Sequence, residues 1–332
     1  MQVGLSLGSD PSWVPTLLGR QDASPVMTSV SPVSAGHPTE PPDFTIGPLG
    51  PFSLAEAVTF GFGQREAGAY EGVMRLAFCL DGYHTQVAVE VRQDACGVHG
   101  WVQGEADLAA VQAQAARVLS LDHDGRQFVA VGRRDPVIAA LQELAPGLRP
   151  PLFYSPYEAA AWSVLSARRP ARQMAEVRQH LSETHGRSFT VAGQPLAALP
   201  TPQQLLAVSE FPGIPEVKLR RLHGVAAAAL DGRLDATRLC TMGHETATAE
   251  LCQLEGIGPF YAGLIMIRGS GLADFLPAKE PKLKALVAKL YRLSAPPGPD
   301  DLTAVAEAWR PLRTWAAVLI RAAGDRLSTP PP

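Results

Sequence analysis

The sequence predicts an α+β domain followed by an all-α domain, and three observations carry that prediction. Between residues 72 and 104, apolar and polar side chains alternate in several successive runs. Beyond residue 136 the alternation gives way to helical periodicity, segment after segment, punctuated by Gly and Pro. Ahead of both lies a stretch, residues 1–42, rich in Pro, Ser, Gly and Thr.

That leading stretch cannot bury enough apolar surface to offset its ordering entropy, so a disordered tail is expected over 1–42. From Phe44, "FTIGPL" reads as a strand and "PFSLAEAVTFGF" as a short helix. The runs "GVMRLAFCL", "HTQVAVEVR" and "CGVHGWVQG" follow. Val87, Val89 and Val91 share one face while Gln86, Glu90 and Arg92 occupy the other, the period of two that marks half-buried antiparallel strands. "DLAAVQAQAARVLSL" then has helical periodicity with Asp107 near its start. These elements make an α+β sheet domain over 43–135.

Past "RRDP" no further strand is expected. "PVIAALQELA", "PYEAAAWSVLSARR", "ARQMAEVRQHLSETHG", "TPQQLLAVSE", "PEVKLRRLHGVAAAALDG", "HETATAELCQLEG", "PFYAGLIMIRGSG", "PKLKALVAKLYRL" and "DDLTAVAEAWRPLRTWAAVLIRAAG" all read as helices. Gly186, Gly232 and Gly324 stand as C-terminal stops. The all-α domain is expected over 136–328.

Size and composition agree with two globular units: 332 residues, 46% of them apolar. A net charge of −3 excludes a uniformly basic nucleic-acid binder but leaves room for a local basic face. The four cysteines (Cys79, Cys96, Cys240, Cys252) are scattered, which argues against a disulfide framework, a zinc site or an iron–sulfur cluster. With no apolar run of about 20 residues and no signal-peptide pattern, a soluble cytoplasmic protein without membrane association is expected.

One short motif carries chemistry. "LEGIGPFYAG" sets Gly256, Ile257 and Gly258 between two helical patterns, with Pro259 at the first turn of the second. The glycines permit a tight turn, proline suits a helix start, and Ile257 can pack between the helices. Amides at such a helix start can hold a DNA phosphate. The same pattern also fits a plain helix junction. A weaker copy, "FPGIPEVKLRR" at 211–221, reads as an ordinary junction.

The wider sequence resembles the helix–hairpin–helix superfamily of base-excision DNA glycosylases, and within it the bacterial 3-methyladenine DNA glycosylase II type. "PGLRPP" leads into "YEAAAWSVLS", and "TPQQLLAV", "IPEVKLRRLHGVAAAALDG" and "LEGIGPFYAG" follow in the family's order. "WRPLRTWAAVL" matches the family's terminal Trp-x-Pro-Trp-Arg segment, so the resemblance spans roughly residues 43–326. It implies a TATA-binding-protein-like sheet domain before a helix–hairpin–helix glycosylase domain. It also implies a monofunctional enzyme that flips alkylated or otherwise damaged bases from double-stranded DNA and hydrolyses the N-glycosidic bond. No metal or other cofactor is implied, and a monomer is expected. Phe260 stands where bifunctional members carry a Schiff-base lysine, so no lyase step is expected.

The family's catalytic Asp lies shortly after the hairpin's second helix, where it faces positive charge developing on the sugar. In "DFLPAKEPKLK", counting forward from Phe275 puts Lys279 at that position. Counting back from Leu283 and Lys284 puts Glu280 there, and this register is preferred because a loop insertion disturbs less than a sliding core helix. Glu280 would then be the catalytic carboxylate; otherwise it caps its helix and pairs with Lys282 or Lys284. Asp274 reads as structural.

By the same matching, Phe260, Leu264 and Arg321 fall where the family presents pocket aromatics. Only Phe260 retains one, and Tyr261 or Trp162 could compensate. An arginine there would repel a cationic alkylated base. In "VLSARRP", Ala167 replaces the family's gap-filling Gln, and Arg168 takes the wedge position. Gly256, Ile257, Gly258, Lys282 and Lys284 are the expected backbone contacts. The lost Asp, Gln and aromatics also fit a catalytically weak or silent damaged-DNA-binding protein of the same fold.

Overall fold

The alternating runs build one antiparallel sheet. The computed structural model describes residues 40–60 and 70–327; residues 1–39 of the expected tail lie outside the described residues. Strands Phe44–Ile46 (β1), Met74–Cys79 (β2), Gln86–Gln93 (β3) and Val98–Gln103 (β4) pair in the order β1–β4–β3–β2, with helix Leu54–Phe60 (α1) between β1 and β2. In the register, Val89 lies opposite Leu76 and Val102. Helix Leu108–Val118 (α2) starts where the Asp107 carboxylate accepts from the Ala109 amide at 3.0 Å. Its Val111, Ala115 and Val118 share a core with Val87, Val89 and Val91.

Of the strands expected to be half-buried, β2 and β3 are covered on both faces, while β4 is covered only in part. Arg187–Val191 (β5) and Gln194–Ala198 (β6) form a hairpin inside the region expected to be all helix. Its turn, Ala192-Gly193, has both residues at positive φ, which fits a tight hairpin connection. Phe189, Val191 and Ala198 pack against Ala77 and Ala88, whose small side chains leave room for the hairpin. The helices in chain order are Arg126–Arg134 (α3), Pro136–Leu144 (α4), Pro156–Ser166 (α5), Ala171–His185 (α6), Pro202–Leu206 (α7), Glu216–Leu230 (α8), Ala236–Thr241 (α9), His244–Leu251 (α10) and Pro259–Leu264 (α11). A π-helical turn, Ile265–Gly269, extends α11; Pro281–Leu290 (α12), Pro299–Ala306 (α13) and Arg313–Ala323 (α14) complete the chain. The last expected helix is thus two, because Pro311 offers no amide and holds Arg310 extended (φ −60°, ψ 143°).

Sheet and helices share buried hydrogen bonds. Tyr83 donates to the Leu234 carbonyl at 2.6 Å, and the Cys79 thiol to that of Leu199 at 3.1 Å. The broadest tie is Arg149, 1% exposed, which donates to the carbonyls of Leu49, Gly50, Pro51, Ser120 and His123. Burial pulls its pKa down to about 10, so it is charged at neutral pH. Its guanidinium also lies 5.6 Å from the Trp315 ring centroid on α14.

That clasp leaves no space at Gly125, where a Cβ would stand 2.3 Å from Arg149 Nη2. Gly125→Ala is expected to destabilise the fold by roughly 1–3 kcal/mol, because the tethered guanidinium cannot step aside. Gly47→Ala, with nothing within 4 Å of its Cβ, should stay within about 0.5 kcal/mol. Urea midpoints measure both, and equal midpoints would disprove the clasp.

Candidate functional site

The Gly-Ile-Gly turn forms a helix–hairpin–helix. After α10, Ile257 is 4% exposed and donates its amide to the Leu254 carbonyl, closing the turn. Gly256 has φ +93°, and a Cβ there would meet Arg221 Cδ of α8 at 2.8 Å. Gly258 is extended and caps α11, with Pro259 at the first helical position and open space where a Cβ would be. Arg220 and Arg221 both reach Glu255, at 3.0 and 3.2 Å.

Beside the hairpin lies the loop expected to carry the wedge. Arg168 is exposed with φ +57°, directly after α5. Lys218 on α8 fixes this loop, donating to the Leu165 carbonyl and, at 3.1 Å, to that of Ala167. Burial, and then the charges of Arg169 and Arg221, hold the Lys218 pKa below the usual lysine value. Helix α8 therefore spans from wedge loop to hairpin and makes this a locally basic surface on an acidic chain. Tyr261 is half-buried; burial raises its phenol pKa, opposed by a hydrogen bond with Ser166 at the end of α5. Lys218 and Arg221 were missed in the sequence, although their i, i+3 spacing puts both on one helix face.

The carboxylate site is set by α12. Glu280 is its N-cap: one oxygen accepts from the Lys282 amide at 3.3 Å and the other from the Leu283 amide at 2.5 Å. The second oxygen also faces Arg321 Nε of α14 at 3.8 Å, and the side chains are 2% and 1% exposed. The capping alternative describes the amide contacts, and an ion pair joins Glu280 to Arg321. Lys282 and Lys284 are half-buried on the first turn of α12, and Lys279 is exposed. Asp274 accepts from Arg313 Nε at 2.7 Å and Arg310 Nη1 at 2.8 Å, tying the preceding loop to the start of α14.

The expected pocket residues separate into two groups. Phe260 is 40% exposed and meets the Tyr261 ring edge-on at 5.3 Å. Trp162 and Leu264 are buried in the helical core, as is Arg321 against Glu280. Among the described residues, no group of three or more His, Cys, Asp or Glu could hold a metal ion, and no helix is long and apolar enough to cross a membrane.

No family model matches the chain. A Mycobacterium tuberculosis protein named probable bifunctional transcriptional activator/DNA repair enzyme AlkA is 30% identical over 222 residues, 63% of this chain and 42% of that protein. The chain thus spans less than half the length of that relative. Among solved structures, a 3-methyladenine DNA glycosylase from Archaeoglobus fulgidus shares the fold with a TM-score of 0.60 at 18% identity, covering 87% of this chain and 98% of its own. MBOgg1 in complex with a low-affinity DNA ligand superposes with a TM-score of 0.65 at 17% identity, covering 84% and 93%. The sheet followed by the helical region is the fold shared with these solved DNA glycosylase structures. The similarity in sequence and fold runs to proteins named AlkA and 3-methyladenine DNA glycosylase.

Removing the Glu280 carboxylate takes away a helix cap and the anion facing a buried guanidinium. Glu280→Ala is therefore expected to cost roughly 3 kcal/mol or more in chemical denaturation. A loss below about 1 kcal/mol would mean that the pair is solvated and loosely held.

Proposed function

We propose that this chain is a monofunctional DNA glycosylase that removes damaged bases from duplex DNA. The observation that carries this reading is a buried carboxylate, Glu280, fixed at the N-terminus of the helix that follows the hairpin. The hairpin amides around Gly256 and Gly258 would hold a phosphate, with Lys282 and Lys284 adding positive charge. Arg168, projecting from its Lys218-anchored loop, would enter the space left by the flipped base. As the bond from the sugar to the base nitrogen breaks, its electron pair leaves with the base and positive charge builds on the sugar. Glu280 would stabilise that charge and take a proton from the incoming water, whose oxygen forms the new bond to the sugar.

A second reading has its own support in the Arg321–Glu280 pair: a carboxylate already facing a guanidinium is a weaker partner for the sugar cation. On that reading the chain recognises lesions without removing them.

One assay separates the two. Duplexes carrying a single damaged base are incubated with the wild type and Glu280→Gln, and abasic sites are counted by alkaline strand cleavage. A carboxylate about 4 Å from the cation at an effective dielectric near 20 contributes about 4 kcal/mol, so Glu280→Gln should be slower on the order of a thousandfold. Equal rates would remove Glu280 from the chemistry. Tight lesion binding by the wild type without base release would select the binding reading.

A further inference from the structure

We infer that Arg321 sets the substrate class of this site, turning it toward neutral bases that present acceptor atoms and away from cationic alkylated ones. The inference rests on the glycosylase reading above, with Glu280 as the carboxylate. The Arg321 guanidinium stands 3.8 Å from the Glu280 carboxylate, and both side chains are almost fully buried. A nucleotide whose sugar carbon is brought to Glu280 therefore carries its base within a few ångströms of a fixed positive charge.

Three physical consequences follow. First, the pair is neutral overall, so the field that would draw a cationic base toward a lone buried carboxylate is cancelled. Second, a cationic base seated against the guanidinium is nearer to that charge than to the carboxylate, so the residual repulsion lowers its occupancy by about tenfold or more. Third, bond cleavage sends an electron pair onto the base. A cationic base becomes neutral and needs no help, whereas a neutral base leaves as an anion. A guanidinium, which carries only donors, stabilises that anion best through a carbonyl oxygen beside a ring nitrogen. The O6/N7 edge of a deaminated purine has that geometry, the edge arginine grips in guanine. The carboxylate would thus act on the sugar and the guanidinium on the departing base.

The neighbouring positions agree. Neither Leu264, buried in the helical core, nor Arg321 offers the π-face that attracts a cation. Phe260 retains a ring but is 40% exposed on the hairpin helix, whereas the pair is buried.

The test measures release of hypoxanthine, which is neutral, and 7-methylguanine, which is cationic, from otherwise identical duplexes. Each rate is read for the wild type, Arg321→Gln and Arg321→Lys. The ratio of two rates on one preparation does not depend on the folded fraction, so a destabilised variant still reports. The hypoxanthine to 7-methylguanine ratio should fall at least tenfold in Arg321→Gln and stay within a few-fold in Arg321→Lys, which keeps the charge. An unchanged ratio in Arg321→Gln overturns the role of Arg321 and leaves the glycosylase reading standing. Release of neither base by any of the three proteins overturns both.

Discussion

The fold turns on buried guanidinium groups, and Arg149 is the one on which most else depends. It gathers carbonyls from the segment after β1 and from the loop between α2 and α3, then rests against Trp315 of α14. A charge so deep is tolerable only because its donors are spent on backbone carbonyl oxygens. Because α14 is held there, Arg321, further along the same helix, is delivered to Glu280. Arg178 plays the matching part for α5 and α6, donating to the fully buried Glu158 at 2.6 Å. The scaffold positions its candidate site through charge and hydrogen bonding as well as apolar packing.

What the sequence made legible was local. The period of two in "VAVEV", the Asp107 cap and the Gly-Ile-Gly-Pro turn each depend on neighbours within a few residues, and each has its structural counterpart. The hairpin at 187–198 escaped because its strands are five residues each and its alternation is weak. The burial of β2 and β3 on both faces escaped with it, since the covering hairpin lies about a hundred residues away along the chain. Pro311 was visible in the sequence, yet a strong apolar pattern on either side hid the break it imposes.

The candidate site was legible in its backbone and not in its charges. Ile257 packed in the turn follows from its position on the hairpin, whereas the exposure of Phe260, expected as a pocket aromatic, does not. The pairing of Glu280 with Arg321 joins residues 41 positions apart, and no spacing rule reaches that far. Nearby lysines were the obvious partners by sequence, and on the first turn of α12 they lie half-buried, whereas the cation facing the carboxylate from α14 is Arg321. Tertiary geometry, not proximity in sequence, decides which cation a buried anion meets.

Glu280 and Arg321 are best understood together. A carboxylate this deep with no cation, or a guanidinium this deep with no anion, would carry a desolvation penalty of several kcal/mol. Each makes the other tolerable, yet a well-packed apolar pair in the same space is often as stable or more so. Stability alone therefore gives little reason to place two charges here. A low-dielectric site holding both signs can address both ends of a breaking glycosidic bond, the sugar that becomes positive and the base that carries away the electrons. On the proposed reading, a pocket that its missing aromatics would mark as damaged has the charge arrangement for a different leaving group.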